Sequence, residues 1–333
     1  MSWLLIGDLH LTDRARDAHR FKIFDQIKKW QDQYKPDRTF IMGDLCDQKD
    51  RHSATLVNRI ADELSKLEHV RIIMGNHDYI DPKTAFFKFL NKFETVRFID
   101  RPFLSAGVCI IPHYRTQAEL DQAFREFQKH DNIKIVLLHN TFTGAISETG
   151  KELTGMTYRK EWPHPRAGIY AGDIHRPQQA GDIVYVGAPY HVRFGDDYKP
   201  RCLLIEENGE GIELYLDAPR KWKWTIREPN EILKIGDGRP GDQVKITVEM
   251  TREEAQSWQL YKEQVLALCE LHGYEVYGVD LKVNTLKHKP KDVKLGTTPA
   301  ALISKYCQSE GVGTKFRNTG LDLADVQHRT TDS

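Results

Sequence analysis

Apolar residues along the chain follow two rhythms. Short uninterrupted runs have the length and composition of strands buried on both faces: Leu4-Leu5-Ile6, Phe40-Ile41-Met42, Ile72-Ile73-Met74, Ile135-Val136-Leu137-Leu138 and Ile169-Tyr170-Ala171. Each stops at a polar residue, four of the five across a glycine. Between them, residues 15–35 place Phe21, Phe24, Ile27 and Trp30 at helical spacing and break at Pro36, and residues 54–67 line up Leu56, Val57, Ile60, Leu64 and Leu67. Strand, helix and strand in alternation build a sheet by crossovers, so these strands run parallel and share one carboxyl edge, which carries Asp8, Asp44 and Asn76. Crossovers alone suggest a doubly wound sheet.

Further along, residues 81–91 predict a short phenylalanine-rich helix, 96–99 and 108–112 strands of a second sheet, and 119–129 another helix. Residues 141–165 are polar, contain glycine and lack periodicity, as a substrate-facing loop would. Residues 183–186, 202–206 and 212–216 read as a closing antiparallel meander, which ends a first domain at 1–217. The alternation Lys221-Trp222-Lys223-Trp224 predicts a strand with both lysines on one face and both indoles on the other; it suits DNA contact and a solvated edge over buried tryptophans equally well. Val244, Ile246, Val248 and Met250 alternate strictly, Thr251-Arg252-Glu253-Glu254 is a capping box opening a helix that ends at Gly273, and 276–283 is a further strand. These make a small α+β domain at 218–286. Residues 287–333 hold a basic stretch (Lys287, Lys289, Lys291, Lys294), a short helix around Leu302, Ile303 and Tyr306, and a loosely ordered tail from Gly311.

Length and charge change this picture little. A chain of 333 residues accommodates two or more domains, and 48 basic against 48 acidic residues leave no net charge, so any polyanion must be met by local patches or metals. Five cysteines without a C-x-x-C pair read as reduced, buried and structural. The first residues lack a basic segment and their apolar run is too short for a signal peptide or membrane span, so a cytoplasmic location without membrane contact is expected.

The chemistry lies at the strand ends. Asp8, His10, Asp44, Asn76, His139, Asp173 and His175, with His77 beside them, are too many donors for one ion and about right for two. One histidine at a strand end is usually structural; seven donors in one series are not. Carboxylate, amide oxygen and imidazole without thiolate favour manganese, with magnesium, iron and zinc as alternatives. Two such ions roughly 3.5–4 Å apart clamp the attacking and leaving oxygens of an in-line displacement at phosphorus and supply hydroxide near neutral pH. Asp78 could cap a turn, but its adjacency to His77 favours a role in orienting that imidazole. His113, His164 and His191 read as surface or supporting residues, His191 being the best of them as a substrate contact, and Asp47 as support for Asp44.

Asp8-Leu9-His10, Gly43-Asp44, Gly75-Asn76-His77-Asp78, His139 and Gly172-Asp173-Ile174-His175 resemble the five ordered motifs of calcineurin-like metallophosphoesterases. Within that superfamily, Tyr185-Val186-Gly187-Ala188-Pro189, the downstream strand-helix-strand unit and the overall size are similar to the SbcD-type DNA repair exonuclease. The resemblance implies a four-layer αββα sandwich, two mixed sheets face to face with helices outside, and a small α+β capping domain. It implies one ion on Asp8, His10, Asp44 and His175, another on Asp44, Asn76, His139 and Asp173, and His77 as general acid or transition-state stabiliser at the leaving oxygen. It further implies manganese-dependent cleavage of duplex ends and single strands, a role in DNA repair, recombination and replication, an SbcC-type ATPase partner docked by the C-terminal segment, and a homodimer. The size suits a bacterial or a viral source, with host cytoplasm as the location for the latter. One position departs from the family: Asp173 stands where Gly-His-x-His has an imidazole, and a third carboxylate, counted with a bridging hydroxide, leaves the two-ion cluster formally neutral.

Three other functions compete with a nuclease. Protein phosphatases of the superfamily carry Gly-Asp-x-Val-Asp-Arg-Gly, where this chain reads Gly43-Asp44-Leu45-Cys46-Asp47-Gln48-Lys49 and lacks the arginine that holds a monoester. A small-molecule phosphodiesterase would share the metal core, and a non-catalytic scaffold would have lost ligands.

Overall fold

The computed structural model describes residues 1–283, 299–309, 311, 313, 314, 316, 318 and 319. The basic stretch from Lys287 to Lys294 lies outside them, as do most residues after Gly311. By packing, the chain divides into two compact units: Met1–Glu249 with Ser257–Lys282, and Met250–Gln256 with Val283–Ser333. In the smaller unit α5 (Pro299–Ser309) is the one long element among the described residues, and the Thr251 and Glu254 side chains cap each other's backbone N–H, Thr251 N donating at 2.7 Å and Glu254 N at 3.3 Å. That reciprocal cap closes a 3-10 turn at Glu254–Ser257, one turn earlier in the sequence than the α-helix it was expected to open.

In the larger unit the strands β1 (Ser2–Ile6), β2 (Arg38–Ile41), β3 (Val70–Ile73) and β4 (Val96–Ile99) pair in parallel, with α1 (Lys22–Tyr34) and α2 (Ala54–Ser65) as crossovers. The sheet order is completed on the other side of β1 by the antiparallel hairpin β11 (Cys202–Glu206) and β12 (Gly211–Leu214). A second six-stranded sheet runs β5 (Phe103–Ser105), β6 (Val108–Ile111), β7 (Ile135–His139), β8 (Ile169–Gly172), β10 (Ile183–Tyr185), β9 (Gln178–Ala180).

Both sheets are mixed, and each β1 residue shows why its strand reads as a continuous apolar run. Leu4 and Ile6 join the cluster under α1 and α2, whereas Trp3 and Leu5 join a cluster shared with Val108, Ile110, Ile135 and Leu137 of the facing sheet. A third cluster packs α3 (Gln117–Arg125) and Trp162 on the outer side of the second sheet. The architecture is therefore the four-layer αββα sandwich, not the doubly wound sheet that crossovers alone suggest. Residues 96–99 were expected on the second sheet and instead extend the first, Val70 opposite Val96. The expected meander is divided between the sheets: β10 is parallel to β8, and β11 and β12 join β1. Residues 81–91 form 3-10 turns, Pro82–Thr84 and Phe86–Lys92, in place of an α-helix. All five cysteines are free and buried. No helix among the described residues is long and apolar enough to cross a membrane.

A three-stranded sheet, β13 (Lys221–Ile226), β14 (Gln243–Met250) and β15 (Glu275–Val283), follows, with α4 (Trp258–Leu271) between its last two strands in sequence. The lysine–tryptophan alternation forms β13. Trp224 is buried, half-buried Trp222 donates its indole N–H to Asp242 at 2.8 Å, and Lys223 is exposed. Lys221 is buried and donates to Asp17 at 2.6 Å, joining a triad with Arg20, which lies 3.1 Å from the same carboxylate. Burial pushes the Lys221 ammonium down to about 8, Arg20 adds to this, and Asp17 opposes it. Folded Lys221 thus releases its proton more readily than an unfolded lysine, and its contribution makes folding more favourable as pH rises from about 8 toward the ordinary lysine value of 10.5. Urea midpoints at pH 8 and pH 10 should therefore climb more steeply in the wild type than in Lys221→Met; equal climbs would refute the assignment.

Candidate metal centre

The carboxyl ends of β1, β2, β3, β7 and β8 meet at the same end of the sandwich, and the loops leaving them carry the donors. Close approach is possible because residues with no Cβ precede them. A Cβ on Gly43, whose φ is 115°, would fall 2.0 Å from His139 Nδ1, and one on Gly172 would fall 2.4 Å from the Met42 carbonyl oxygen. His10, Asp44 and Asp173 follow with φ of 42°, 48° and 79°, left-handed backbone that turns their side chains inward at some conformational cost.

The predicted donors converge. Asp44 is central: its Oδ1 lies 3.4 Å from His139 Nε2 and its Oδ2 lies 3.5 Å from His10 Nε2. Ligand atoms of Asp8, Asp44 and His139 lie within 4.8 Å of one another, and so do those of His10, Asp44 and His77. His10 Nε2 faces His175 Nε2 at 2.9 Å. Asp173 Oδ1 is 3.8 Å from His139 Nε2 and 3.4 Å from the Asn76 amide nitrogen, while its backbone N–H donates to Asp8 at 2.8 Å. The position that departs from the family motif thus faces the same centre as the others.

Three features fit divalent cations to this set. Asp8 Oδ2, Asn76 Oδ1 and His139 Nε2 are buried acceptors with no hydrogen-bond partner, an arrangement that costs free energy unless a cation satisfies them. The Met42 carbonyl accepts from His139 Nδ1 at 2.6 Å, which fixes the tautomer whose Nε2 lone pair points at Asp44 and Asp173. Negative charge is also crowded here. Burial pushes the Asp44 carboxyl well above the usual range, and Asp8, Asp78 and Asp173 add to this while His139 opposes it. Burial lowers His139, yet Asp44, Asp8 and Asp173 hold it up to about 9.

The family model for calcineurin-like phosphoesterases matches residues 1–203. The chain belongs to that family. No curated protein sequence matches it. As a phosphoesterase of this family it is a metal-dependent hydrolase of phosphoesters, and the buried donor groups around Asp44 are where such metals fit.

Asp78 takes a different role in the phosphoesterase from the one its place beside His77 suggests. Its carboxylate is fully buried and accepts three backbone N–H groups, from Gly75 at 2.7 Å and from Asp44 and Leu45 at 3.0 Å each. The turn after β3 points it back at the β2 loop, away from the imidazole. His77 is oriented instead by Asp47, whose carbonyl accepts from Nδ1 at 2.6 Å, and its own N–H donates to Asp44 at 2.8 Å. A carbonyl only accepts, so Nδ1 carries the proton and Nε2 is left for chemistry.

His191 is no substrate contact. It is buried, its Nδ1 accepting from Lys221 N at 3.1 Å and its Nε2 donating to the Tyr198 carbonyl at 2.9 Å. Three supporting residues had no signal in the motifs. Thr141 donates to Asp173 at 2.6 Å, and Arg20 donates to the His10 carbonyl. Glu148, from the long loop, lies 3.4 Å from His175 Nδ1 and accepts from His175 N at 3.4 Å. A carboxylate on the far nitrogen of a ligating imidazole fixes its orientation and raises its basicity. Glu148→Ala is expected to weaken metal binding about tenfold to a hundredfold. Calorimetric titration of manganese into chelator-stripped protein checks this, and an unchanged affinity would remove Glu148 from the centre.

Proposed function

We propose that the protein is a metal-dependent DNA nuclease that hydrolyses phosphodiesters. The observation that carries this reading is the cleft of about 390 Å³ that His10, His77 and His175 line. Its walls hold Arg14, Arg16, Arg20, Arg193, Lys221, Lys223 and Lys245 against only two acids, Asp17 and Asp47. Arg193, Lys223 and Lys245 have no acidic partner among the described residues, in a chain whose net charge is zero. A small diester needs one or two such cations; a set of them drawn from the 3-10 turn Ala15–Phe21 and the residue before it, the loop after β10 and two strands of the third sheet suits a polyanion.

In this reading Asp8, His10, Asp44 and His175 hold one divalent cation, and Asp44, Asn76, His139 and Asp173 hold a second, with manganese the best match to the donor set. When bound, the pair lowers the pKa of water and neutralises charge on the phosphoryl oxygens. His77, fixed through Nδ1 by Asp47, presents Nε2 to the leaving oxygen and, as an imidazolium carrying a second proton on Nε2, would donate that proton there. The exposed arginine and lysine side chains of the cleft hold flanking phosphates and keep the scissile one in place. The resemblance to SbcD-type enzymes adds an SbcC-type ATPase and a second copy of the chain as partners.

Manganese-loaded protein incubated with end-labelled single-stranded and duplex DNA, beside a chromogenic monoester and diester, tests the reading. DNA cleavage that outpaces the small esters is expected. Turnover of the chromogenic diester with intact DNA would leave a small-molecule phosphodiesterase, and no turnover of anything would leave a scaffold.

A further inference from the structure

One aromatic side chain interrupts the charged walls of the cleft. Phe194, in the loop after β10, is half-buried and lines the same cavity as His10, His77 and His175. Its ring centroid lies 4.9 Å from Lys245 Nζ, 5.8 Å from Lys221 Nζ and 5.6 Å from the Tyr277 ring. The loop beneath it is tightly held. The Asp196 carboxylate accepts from Val192 N at 2.9 Å, Arg193 N at 2.8 Å and the Tyr198 hydroxyl at 3.0 Å, and Gly195 N donates to the Lys221 carbonyl at 2.9 Å. Arg20 ties this loop to the metal centre, donating to the Val192 carbonyl at 3.1 Å and also to the His10 carbonyl. Phe194 is therefore carried on a loop fixed relative to His10, not on a loose flap.

We infer that the cleft takes an unpaired strand and that Phe194 stacks on one of its bases, while Lys223, Lys245 and Arg193 hold the neighbouring phosphates. The inference rests on the nuclease reading and adds the residue that would hold a base of the substrate. With the Lys245 ammonium over the Phe194 ring, a nucleotide, which offers a π face and a phosphate side by side, can take the ring with its base and the lysine with its phosphate. Within a duplex both faces of a base are covered by its neighbours, so only an unpaired or terminal base can offer one to Phe194. The competing role for Phe194 is packing alone, holding the third sheet by its contact with Tyr277. Stacking and packing differ in whether the substrate's bases matter.

Fluorescence anisotropy with the full chain in EDTA, which blocks hydrolysis, separates them. The probes are a labelled single strand of about 12 nucleotides, the same length made entirely of abasic sites, and a blunt duplex. Phe194→Leu keeps apolar bulk against Tyr277 and removes the π face. It is expected to weaken binding of the intact strand about tenfold and leave the abasic strand unchanged, with Phe194→Trp restoring affinity. The duplex should bind less tightly than the strand and respond little. Equal losses on intact and abasic strands, or no loss in Phe194→Leu, would overturn the stacking role while leaving the nuclease reading intact. Failure of the wild type to bind any of the three probes would overturn both.

Discussion

Replacing Asp44 by asparagine is expected to lower phosphodiester turnover about thousandfold, on the order of 4 kcal/mol of transition-state stabilisation. Asp44 belongs to both groups of converging donors, so no other side chain has as much of the centre depending on it. Asparagine would keep one oxygen but put an NH₂ group where a carboxylate oxygen now faces His10 or His139, at 3.5 and 3.4 Å. It would also remove one of the negative charges that a pair of cations offsets. The fold should tolerate the change. Asp8, Asp78 and Asp173 crowd the same carboxylate, so losing its charge relieves repulsion in the metal-free protein. Elemental analysis, turnover of a chromogenic diester and melting in chelator therefore make one test. Fewer bound ions and collapsed turnover at an undiminished melting point are expected, and a variant that keeps its ions and its rate would remove Asp44 from the bridging role.

Asp78→Ala should do the reverse and act first on stability. Three buried backbone N–H groups would lose their acceptor together, and at about 1–3 kcal/mol for each unsatisfied group the cost is on the order of 4 kcal/mol. For a unit of this size that lowers the melting midpoint by roughly 10 °C. Asp78→Asn retains an oxygen and should lose about half as much. If Asp78 acted only by orienting His77, both variants would lose activity at an unchanged midpoint. Calorimetry in chelator decides between the two roles.

What could be read from the chain and what could not divide along a physical line. The donors at the strand ends were legible because they are written locally, whereas the αββα layering followed only from the family resemblance, the strand-helix alternation by itself suggesting a doubly wound sheet. A parallel strand buried on both faces must be a short apolar run, and a residue just beyond it must lie at the carboxyl edge. Asp8, Asp44, Asn76, His139 and Asp173 all follow that rule. Pairing partners were not legible in the same way. Val96 to Ile99 is apolar enough for either sheet, and only the whole fold puts it beside β3. Side-chain direction within a turn was also hidden, so Asp78 was matched to its neighbour His77 when its partners are the N–H groups of Asp44 and Leu45, more than thirty positions away. Lys221 gave an alternating pattern but no hint of which face is wet, because its acid, Asp17, lies 204 positions earlier. Glu148 stands in a loop with no periodicity to distinguish it from Glu152.

The donors come from both layers of the sandwich. Asp8, His10, Asp44 and Asn76 leave the first sheet, and His139, Asp173 and His175 leave the second. A bound cation pair would consequently act as a rivet between two slabs that otherwise adhere through their apolar faces and a few hydrogen bonds such as His139–Met42 and Asp173–Asp8. Loading should slow amide hydrogen exchange at the rivet end of β1, β2, β7 and β8 and leave the opposite end and the outer helices as they were. The same ions that serve the hydrolysis would then also set how readily the two halves of the molecule come apart.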